Sequence, residues 1–218
     1  MTREPFLRTR AGRVSLLAML VVDVFILPVL LSADVIPIRL GDVVFAITML
    51  VGMNATGGGK KRRAVLVVAL AAFGIQFFRF IDKSQTLVIL DAALSAIALG
   101  MFAGLVLLDV FHNEPGPDRL IDVILAYLLV GATFAFLYEM VNEIVPGSFT
   151  MEGRTFTMAD YPYFSFTTMT SVGFGDALPR TSVARALAMA QALTGQLYVA
   201  VLIARFVNAN RSHGGSPP

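Results

Sequence analysis

The 218-residue sequence has no cysteine, no tryptophan and few charges. The absence of cysteine excludes disulfide bonds, thiolate metal sites and a cysteine nucleophile. Charged residues make up 15% of the chain, against about 25% in an ordinary globular domain, and the net charge of +2 is too small to indicate a nucleic-acid partner. The two histidines, His112 and His213, belong to no metal-binding or hydrolase motif. The sequence therefore predicts neither an enzyme nor an organic cofactor.

Apolar residues are abundant, at 56% of the chain with a mean hydropathy of +0.75. They fall into six runs, which are residues 14–31, 43–53, 64–80, 86–111, 120–145 and 183–207. The first run, of 18 residues, would cover roughly 27 Å as a helix, close to the thickness of the hydrocarbon core of a bilayer. The run 43–53 is the weakest candidate for a membrane span, because it is only 11 residues long. We therefore predict an all-α membrane protein with six transmembrane helices.

Basic residues distinguish the two sides of the membrane. With six crossings, 11 of the 17 lysines and arginines lie on the side of both termini. The positive-inside rule then places the N-terminal residues 1–13 and the tail 209–218 in the cytoplasm of a multi-pass cell-membrane protein. The fourth run, 86–111, contains no Lys or Arg. Because one charge gains only about 2.3 kcal/mol per 100 mV, steep voltage gating needs several charges, and this helix is not expected to provide it.

The segment between the fifth and sixth runs carries the functional motif. Residues 167–176 read Thr-Thr-Met-Thr-Ser-Val-Gly-Phe-Gly-Asp. This string resembles the potassium-channel signature Thr-x-x-Thr-Val-Gly-Tyr-Gly-Asp, with Ser171 in place of threonine and Phe174 in place of tyrosine. The resemblance covers residues 119–208.

The resemblance implies an architecture for the whole chain. Residues 119–208 would form a pore domain with a re-entrant pore helix at 160–170, a selectivity filter at 171–176 and an inner helix at 183–207. Residues 14–111 would form a four-helix membrane domain in the position of a voltage sensor. One filter loop supplies a quarter of each ring of oxygens, so the partners would be three further copies of the chain, K⁺ and membrane lipid.

The resemblance also assigns the K⁺-binding residues, which would act through filter oxygens with no other metal. They are Thr170, Ser171, Val172, Gly173, Phe174, Gly175 and Asp176. Successive carbonyls face one axis only if the backbone alternates between negative and positive φ. Glycine adopts positive φ without steric cost, which accounts for Gly173 and Gly175. Asp176 would lie at the outer mouth, and the Ser171 hydroxyl would add a lower ring of oxygens.

Two features depart from the family pattern. Phe174 lacks the hydroxyl of the usual tyrosine, and the chain has no tryptophan to bond it. The aromatic cuff of the family would then be replaced by packing of Phe164, Phe166 and Phe174. The function implied is a potassium-selective channel; the alternatives are a non-selective cation channel and a non-conducting accessory protein.

The ends of the pore segments give further expectations. Asp160 is a good N-cap for the pore helix. In the last run, Gly195 falls where the family often has a hinge, although a glycine there can equally serve close helix packing. Helical spacing from Gly195 places four pore-lining candidates on one face, which are Gln196, Val199, Ile203 and Val207.

Acidic residues and the fourth linker complete the analysis. Asp23 lies near mid-membrane, where it is either functional or a packing residue bonded to Thr48 or Ser95. Asp91 is expected to pair with Arg79. Because the linker 112–119 is short and contains two prolines, we expect residues 14–111 to pack against the pore segment of their own subunit.

Overall fold

The computed structural model describes residues 10–33, 35, 44, 47–48, 51, 60–79, 84–113 and 119–213. Most of this part of the chain is helical. Its helices are α1 (Arg10–Val21), α2 (Leu27–Ser32), α3 (Lys60–Arg79), α4 (Gln85–His112), α5 (Leu120–Ile144), α6 (Asp160–Met169) and α7 (Ser182–His213). Its strands are β1 (Phe149–Met151), β2 (Arg154–Thr155) and β3 (Ala177–Pro179).

Four of the described helical segments are long and apolar enough to cross a membrane. They are Gly12–Leu31, Gln85–His112, Leu120–Ile144 and Ser182–Asn208. Each coincides with a predicted run, namely the first, fourth, fifth and sixth, so the chain is a membrane protein. Helix α3 overlaps the third run. It is not among the four segments, because charged residues at both of its ends leave too short an uncharged stretch between them. The second run lies largely outside the described residues, and the count of six spans stays a prediction.

The first membrane helix is interrupted. Helix α1 continues through a π-helical turn, Val22–Ile26, into α2. Pro28 stands in the first turn of α2 and has no N–H to donate back along the helix. A proline that removes this bond is a recognised cause of a local break in helix geometry. Asp23 lies within the π-helical turn.

The helices of the first half pack against α5 of the same chain. Helices α4 and α5 make the most extensive contact, and α1 lies against α5. Their shared core consists of Leu16, Leu20, Leu99, Phe102, Ala103, Leu125, Leu128, Leu129 and Ala132. Near one end of this core, the Arg13 guanidinium forms an ion pair of 2.9 Å with Asp122, whose side chain is 7% exposed. These contacts agree with packing of the membrane domain against its own pore segment.

The end of α7 is attached to the same region. The Tyr198 hydroxyl donates to the carbonyl of Val123 on α5 at 2.5 Å. The Arg205 guanidinium donates to the carbonyl of Asn113 and lies 5.3 Å from the centre of the Phe111 ring. Helix α7 is therefore fixed both to α5 and to the last turn of α4.

A small antiparallel sheet corrects the expectation of an all-α fold. Its strand order is β2-β1-β3, with Thr150 opposite both Thr155 and Leu178. The turn between β1 and β2 has positive φ at both Glu152 (48°) and Gly153 (83°), the backbone that tight hairpins require. The sheet forms because β3, which follows the predicted filter, supplies a third strand.

Three acidic residues, Asp23, Asp91 and Glu139, line one cavity beside α6. The cavity has a volume of about 130 Å³, and its polar lining includes Asp23, Gln76, Asp91 and Glu139. Thr48 lies beside the Asp23 carboxyl, as one of the predicted partners. The expected pair of Asp91 with Arg79 falls outside the described residues, because the side chain of Arg79 is not among them.

The contact between α4 and α5 gives a test of same-subunit packing. A Cβ added at Gly100 would lie 3.4 Å from Cγ2 of Thr133. We expect the double variant Gly100→Cys, Thr133→Cys to form a disulfide within one chain, because the side chain at position 133 lies in van der Waals contact with a Cβ at position 100. Non-reducing denaturing gels of the oxidised protein should then show a monomer. Each single variant, in a chain without native cysteine, is the control. Covalent dimers formed only by the double variant would contradict same-subunit packing.

Candidate functional site

Helix α6 is positioned by charges and hydrogen bonds at its first turn. Asp160 is the first residue of the helix, and Ala159 precedes it as an N-cap without a side-chain bond, so the predicted capping role of Asp160 is wrong. The Asp160 carboxylate instead accepts bonds from the Thr157 N–H at 2.6 Å and from the Arg154 guanidinium at 2.6 and 3.0 Å. Burial raises the pKa of Asp160, but these donors outweigh it and hold the pKa below its ordinary value. The positive end of the helix dipole also stabilises a carboxylate at this position.

Aromatic rings and one glycine, Gly131, pack against α6. Phe164 lies among buried rings, 4.9 Å from Tyr138 between ring centres. The ring of Phe166 occupies the space that a Cβ at Gly131 would need, since that Cβ would lie 2.4 Å from the ring. Phe174 stacks on Tyr163, with ring centres 6.4 Å apart and planes 7° from parallel. All three predicted phenylalanines thus make ring contacts, but in three separate places rather than one cuff.

The backbone after α6 alternates in sign of φ. Positive φ occurs at Ser171 (58°), Gly173 (49°) and Gly175 (84°), and at neither residue between them. The first turn of this segment is held by bonds from the N–H groups of Val172 and Gly173 to the carbonyl of Thr167, at 3.0 and 3.2 Å. The two glycines have the conformation for which the sequence selects them. Ser171 shares it, which no glycine signal could have indicated.

The carbonyl groups of this segment have no hydrogen-bond partner in the part of the chain that the structure describes. Within residues 119–213, none of the carbonyls of 171–175 accepts a hydrogen bond, and all five residues are exposed. An unpaired carbonyl is costly in a membrane protein unless it lines a polar cavity. The Asp176 carbonyl, directly beyond, does accept a bond of 3.0 Å from the Glu152 N–H on the hairpin turn. The segment is therefore bonded at both ends and open between them.

Asp176 is held by a residue that sequence analysis did not assign to the site. The Tyr163 hydroxyl donates to its carboxylate at 2.6 Å, and the Ala177 N–H donates to the other carboxylate oxygen at 2.9 Å. The bond from Tyr163 lowers the pKa of Asp176 and raises the pKa of Tyr163 to about 12. The sequence showed a tyrosine in the first turn of the predicted helix, but not that its hydroxyl reaches the far end of the filter.

Helix α7 presents one stripe of residues to the rest of its chain. The stripe is Ala184, Ala188, Gln191, Gly195, Tyr198, Leu202 and Arg205, at alternating spacings of four and three. Gly195 is buried in this stripe, and a Cβ there would lie 2.1 Å from the carbonyl oxygen of Met169 at the end of α6. Of the two roles weighed for Gly195, the structure therefore shows close packing.

The four other pore-lining candidates lie on a different face of α7. Gln196, Val199, Ile203 and Val207 are all exposed in the single chain, as a face directed to a pore requires. Gln196 donates from Nε2 to the Ser171 hydroxyl at 2.8 Å. Gly195 is not part of this exposed face, which separates it from the group in which the sequence placed it.

Comparison with known proteins concerns this second part of the chain. Residues 122–212 match the family described as ion channel. The sequence is 34% identical over 86 residues to the two pore potassium channel c of Oryza sativa subsp. japonica, and 33% identical over 92 residues to the two-pore potassium channel 1 of Arabidopsis thaliana. These segments are 39% and 42% of this chain, which spans only 17% and 23% of the two relatives. No solved structure matches the chain significantly. The matches confirm the predicted resemblance to the potassium-channel family.

The bond between Tyr163 and Asp176 predicts how Asp176, at the end of the predicted filter, responds to pH. Because the pKa of Asp176 is lowered, the bond contributes stability above the ordinary value of 3.8 and loses it as pH falls through the lowered pKa. We expect Tyr163→Phe to return the pKa of Asp176 towards 3.8 while keeping the ring stacked on Phe174. A carbon-13 NMR titration of the Asp176 carboxyl measures this shift.

The matched control for that titration is Tyr161→Phe. Tyr161 lies on the same helix, but its hydroxyl accepts a bond of 2.9 Å from Asn142. This variant should leave the pKa of Asp176 unchanged. An unchanged pKa of Asp176 in Tyr163→Phe would show that the tyrosine does not hold the carboxylate.

The packing of Gly195 on Met169 predicts a large effect for the smallest substitution. Gly195→Ala should lower the stability of the protein by about 1–3 kcal/mol, because the backbone of α6 must move away from the new methyl group. Thermal unfolding in mild detergent measures the loss. Gly104→Ala on α4 is the control, since a Cβ there meets nothing within 4 Å. Equal unfolding temperatures for both variants would argue against close packing at Gly195.

Proposed function

We propose that this chain, whose residues 122–212 match the family described as ion channel, forms a potassium-selective channel. One observation carries the proposal: the carbonyls of 171–175 have no hydrogen-bond partner in the described part of their own chain, and their backbone alternates in sign of φ. A row of such carbonyls can replace the hydration shell of a permeating cation. Helix α6 directs its C-terminus, with its partial negative charge, at the start of this row.

The channel is a homotetramer with a central filter. Within its 218 residues, the chain has one filter string, while both relatives are named as two-pore channels. One string supplies a quarter of each oxygen ring, so four copies surround one axis. The exposure of Val172 (54%) and Phe174 (71%) in a single chain supports this arrangement, because apolar side chains beside a filter need neighbouring subunits to cover them.

Each part of the site has a role in conduction. Carbonyls of Thr170 to Gly175 and the Ser171 hydroxyl bind K⁺, and Asp176 attracts cations at the outer mouth. Below the filter, the exposed face of α7 lines the path with Gln196, Val199, Ile203 and Val207. Six membrane spans surround this re-entrant segment, and both termini lie in the cytoplasm.

Opening of the channel does not depend steeply on voltage through α4. This helix contains neither Lys nor Arg over Gln85–His112. Each charge that crosses 100 mV gains about 2.3 kcal/mol, so a helix without Lys or Arg does not supply the several gating charges that steep voltage dependence needs. The first four spans therefore act as a structural support of the pore or as a target for another stimulus.

The function is tested by ion flux into liposomes that contain the purified protein. We expect uptake driven by a K⁺ gradient and much weaker uptake with Na⁺ alone. Gly173→Ala should abolish selective uptake, because alanine adopts positive φ at a cost of about 1–2 kcal/mol and disturbs the neighbouring carbonyls. Gly147→Ala is the matched control, since Gly147 also has positive φ (80°) with open space around it, but lies outside the filter.

Three outcomes would contradict the proposal in different ways. Equal uptake of K⁺ and Na⁺ by the unaltered protein would indicate a non-selective cation channel. Unchanged selectivity in Gly173→Ala would refute the role of the filter carbonyls. A stable monomer with no flux would indicate an accessory membrane protein.

A further inference from the structure

A chain of buried hydrogen bonds joins the three helices of the pore segment. The Tyr138 hydroxyl on α5 donates to Oε1 of Gln191 on α7. Nε2 of Gln191 donates to the Ser165 hydroxyl on α6 at 2.6 Å, and Ser165 donates in turn to the carbonyl of Gly131 on α5 at 2.6 Å. The side chains of Tyr138, Ser165 and Gln191 are fully buried. We call these three residues the polar relay.

The polar relay runs in one direction. Tyr138 can donate its only hydrogen, Gln191 offers one acceptor and one donor in line, and the Ser165 hydroxyl accepts one bond and donates the next. Buried groups of this kind fix a single arrangement, because any displacement leaves a donor or an acceptor unpaired. An amide at position 191 is the group that both accepts from a phenol and donates to a hydroxyl.

The relay acts together with the glycine contact on the same stripe of α7. Gln191 bonds Ser165, and one turn further along both helices, Gly195 packs on Met169. The two attachments are therefore spaced by one helical turn on α6 and on α7. Two points of contact fix the rotation of a helix as well as its depth, whereas one point would leave it free to pivot.

The position of α6 determines the position of the filter. Met169 is the last residue of α6, and the segment with alternating φ begins at Ser171. Van der Waals packing by the separate phenylalanines permits small adjustments, but a hydrogen bond fails when its partners move apart. Because the chain has no tryptophan, polar attachment from behind α6 falls to residues of other types.

We propose that Gln191 is a positioning residue for ion selectivity, which sets the filter through Ser165 with Tyr138 holding its amide. This inference rests on the proposed function, since it assigns a residue to the same filter. It differs from a role in stability alone, because the three residues of the relay should act as one unit on selectivity.

The test uses three variants that keep side-chain shape: Tyr138→Phe, Ser165→Ala and Gln191→Met. We expect each to lower the permeability ratio of K⁺ to Na⁺ by roughly threefold to tenfold, the factor that one buried hydrogen bond is worth in an equilibrium. Double variants should be no worse than the single ones, because breaking the relay once removes its effect. The ratio is read from reversal potentials in bilayers with K⁺ on one side and Na⁺ on the other.

The control is Thr133→Val. The Thr133 hydroxyl donates to the carbonyl of Leu129 within its own helix at 2.7 Å, so the variant loses a bond of the same kind without releasing α6. It should leave the permeability ratio unchanged. The proposal would be overturned if the double variants lowered the permeability ratio by the product of the two single effects. An unchanged permeability ratio in Gln191→Met would overturn it as well.

A second measurement separates this inference from the proposed function. Hydrogen exchange of the amides of residues 167–173 should be faster in Gln191→Met than in the unaltered protein and in Thr133→Val. If the unaltered protein passes no selective current, the proposed function fails, and exchange alone decides whether Gln191 positions α6. Equal exchange in all three proteins would overturn the positioning role whatever the currents show.

Discussion

The structure depends on a short row of carbonyl groups that have no hydrogen-bond partner among the described residues of their own chain. Residues 171–175 form neither helix nor sheet, and their carbonyls accept no hydrogen bond from residues 119–213. In a membrane such a backbone persists only where it lines a polar path and where its surroundings prevent it from folding back. The helices, rings and sheet around it are best understood as the structure that holds this short segment extended.

The segment is held at both of its ends by different kinds of interaction. At the inner end, Met169 packs on Gly195. The Thr167 carbonyl accepts hydrogen bonds from the N–H groups of Val172 and Gly173. At the outer end, Asp176 is bonded by Tyr163 through its carboxylate and by the Glu152 N–H through its carbonyl. The sheet therefore contributes to the site, since it brings the hairpin turn to the residue that follows the filter.

Sequence patterns predicted the features that depend on local order. The filter string, the glycines with positive φ and the limits of α4 and α5 follow from residue types at short spacing. The predicted end of α7 at residue 207 is wrong, because the helix continues to His213. The bond from Tyr163 to Asp176 and the relay through Gln191 do not, because each joins residues that only tertiary packing brings together. The absence of tryptophan was evident from the sequence, and packing of aromatic rings was predicted to take its place. In the structure, hydroxyl and amide groups provide part of the attachment of α6.

The sheet and the capping of α6 show the same limit. A Glu-Gly turn is a weaker hairpin signal than Asn-Gly or Asp-Gly, and β1 pairs with β3 on the far side of the filter. Asp160 had the residue type of an N-cap, but Arg154, placed by the hairpin, draws its carboxylate into an ion pair. Local preference was overridden in both cases by a contact that the sheet creates.

The stripe on α7 links the filter to the other end of the membrane domain. Gln191 and Gly195 contact α6, while Arg205 on the same face contacts Phe111 and Asn113 at the end of α4. From Gln191 to Arg205 a helix extends about 21 Å and bends little without proline, glycine pairs or a π-bulge. A displacement of α7 at Arg205 is therefore transmitted to the contacts that Gln191 and Gly195 make with α6. Since α4 has neither Lys nor Arg over Gln85–His112, a stimulus that used this route under the proposed function would act on the end of α4 rather than on lysine or arginine charges within it.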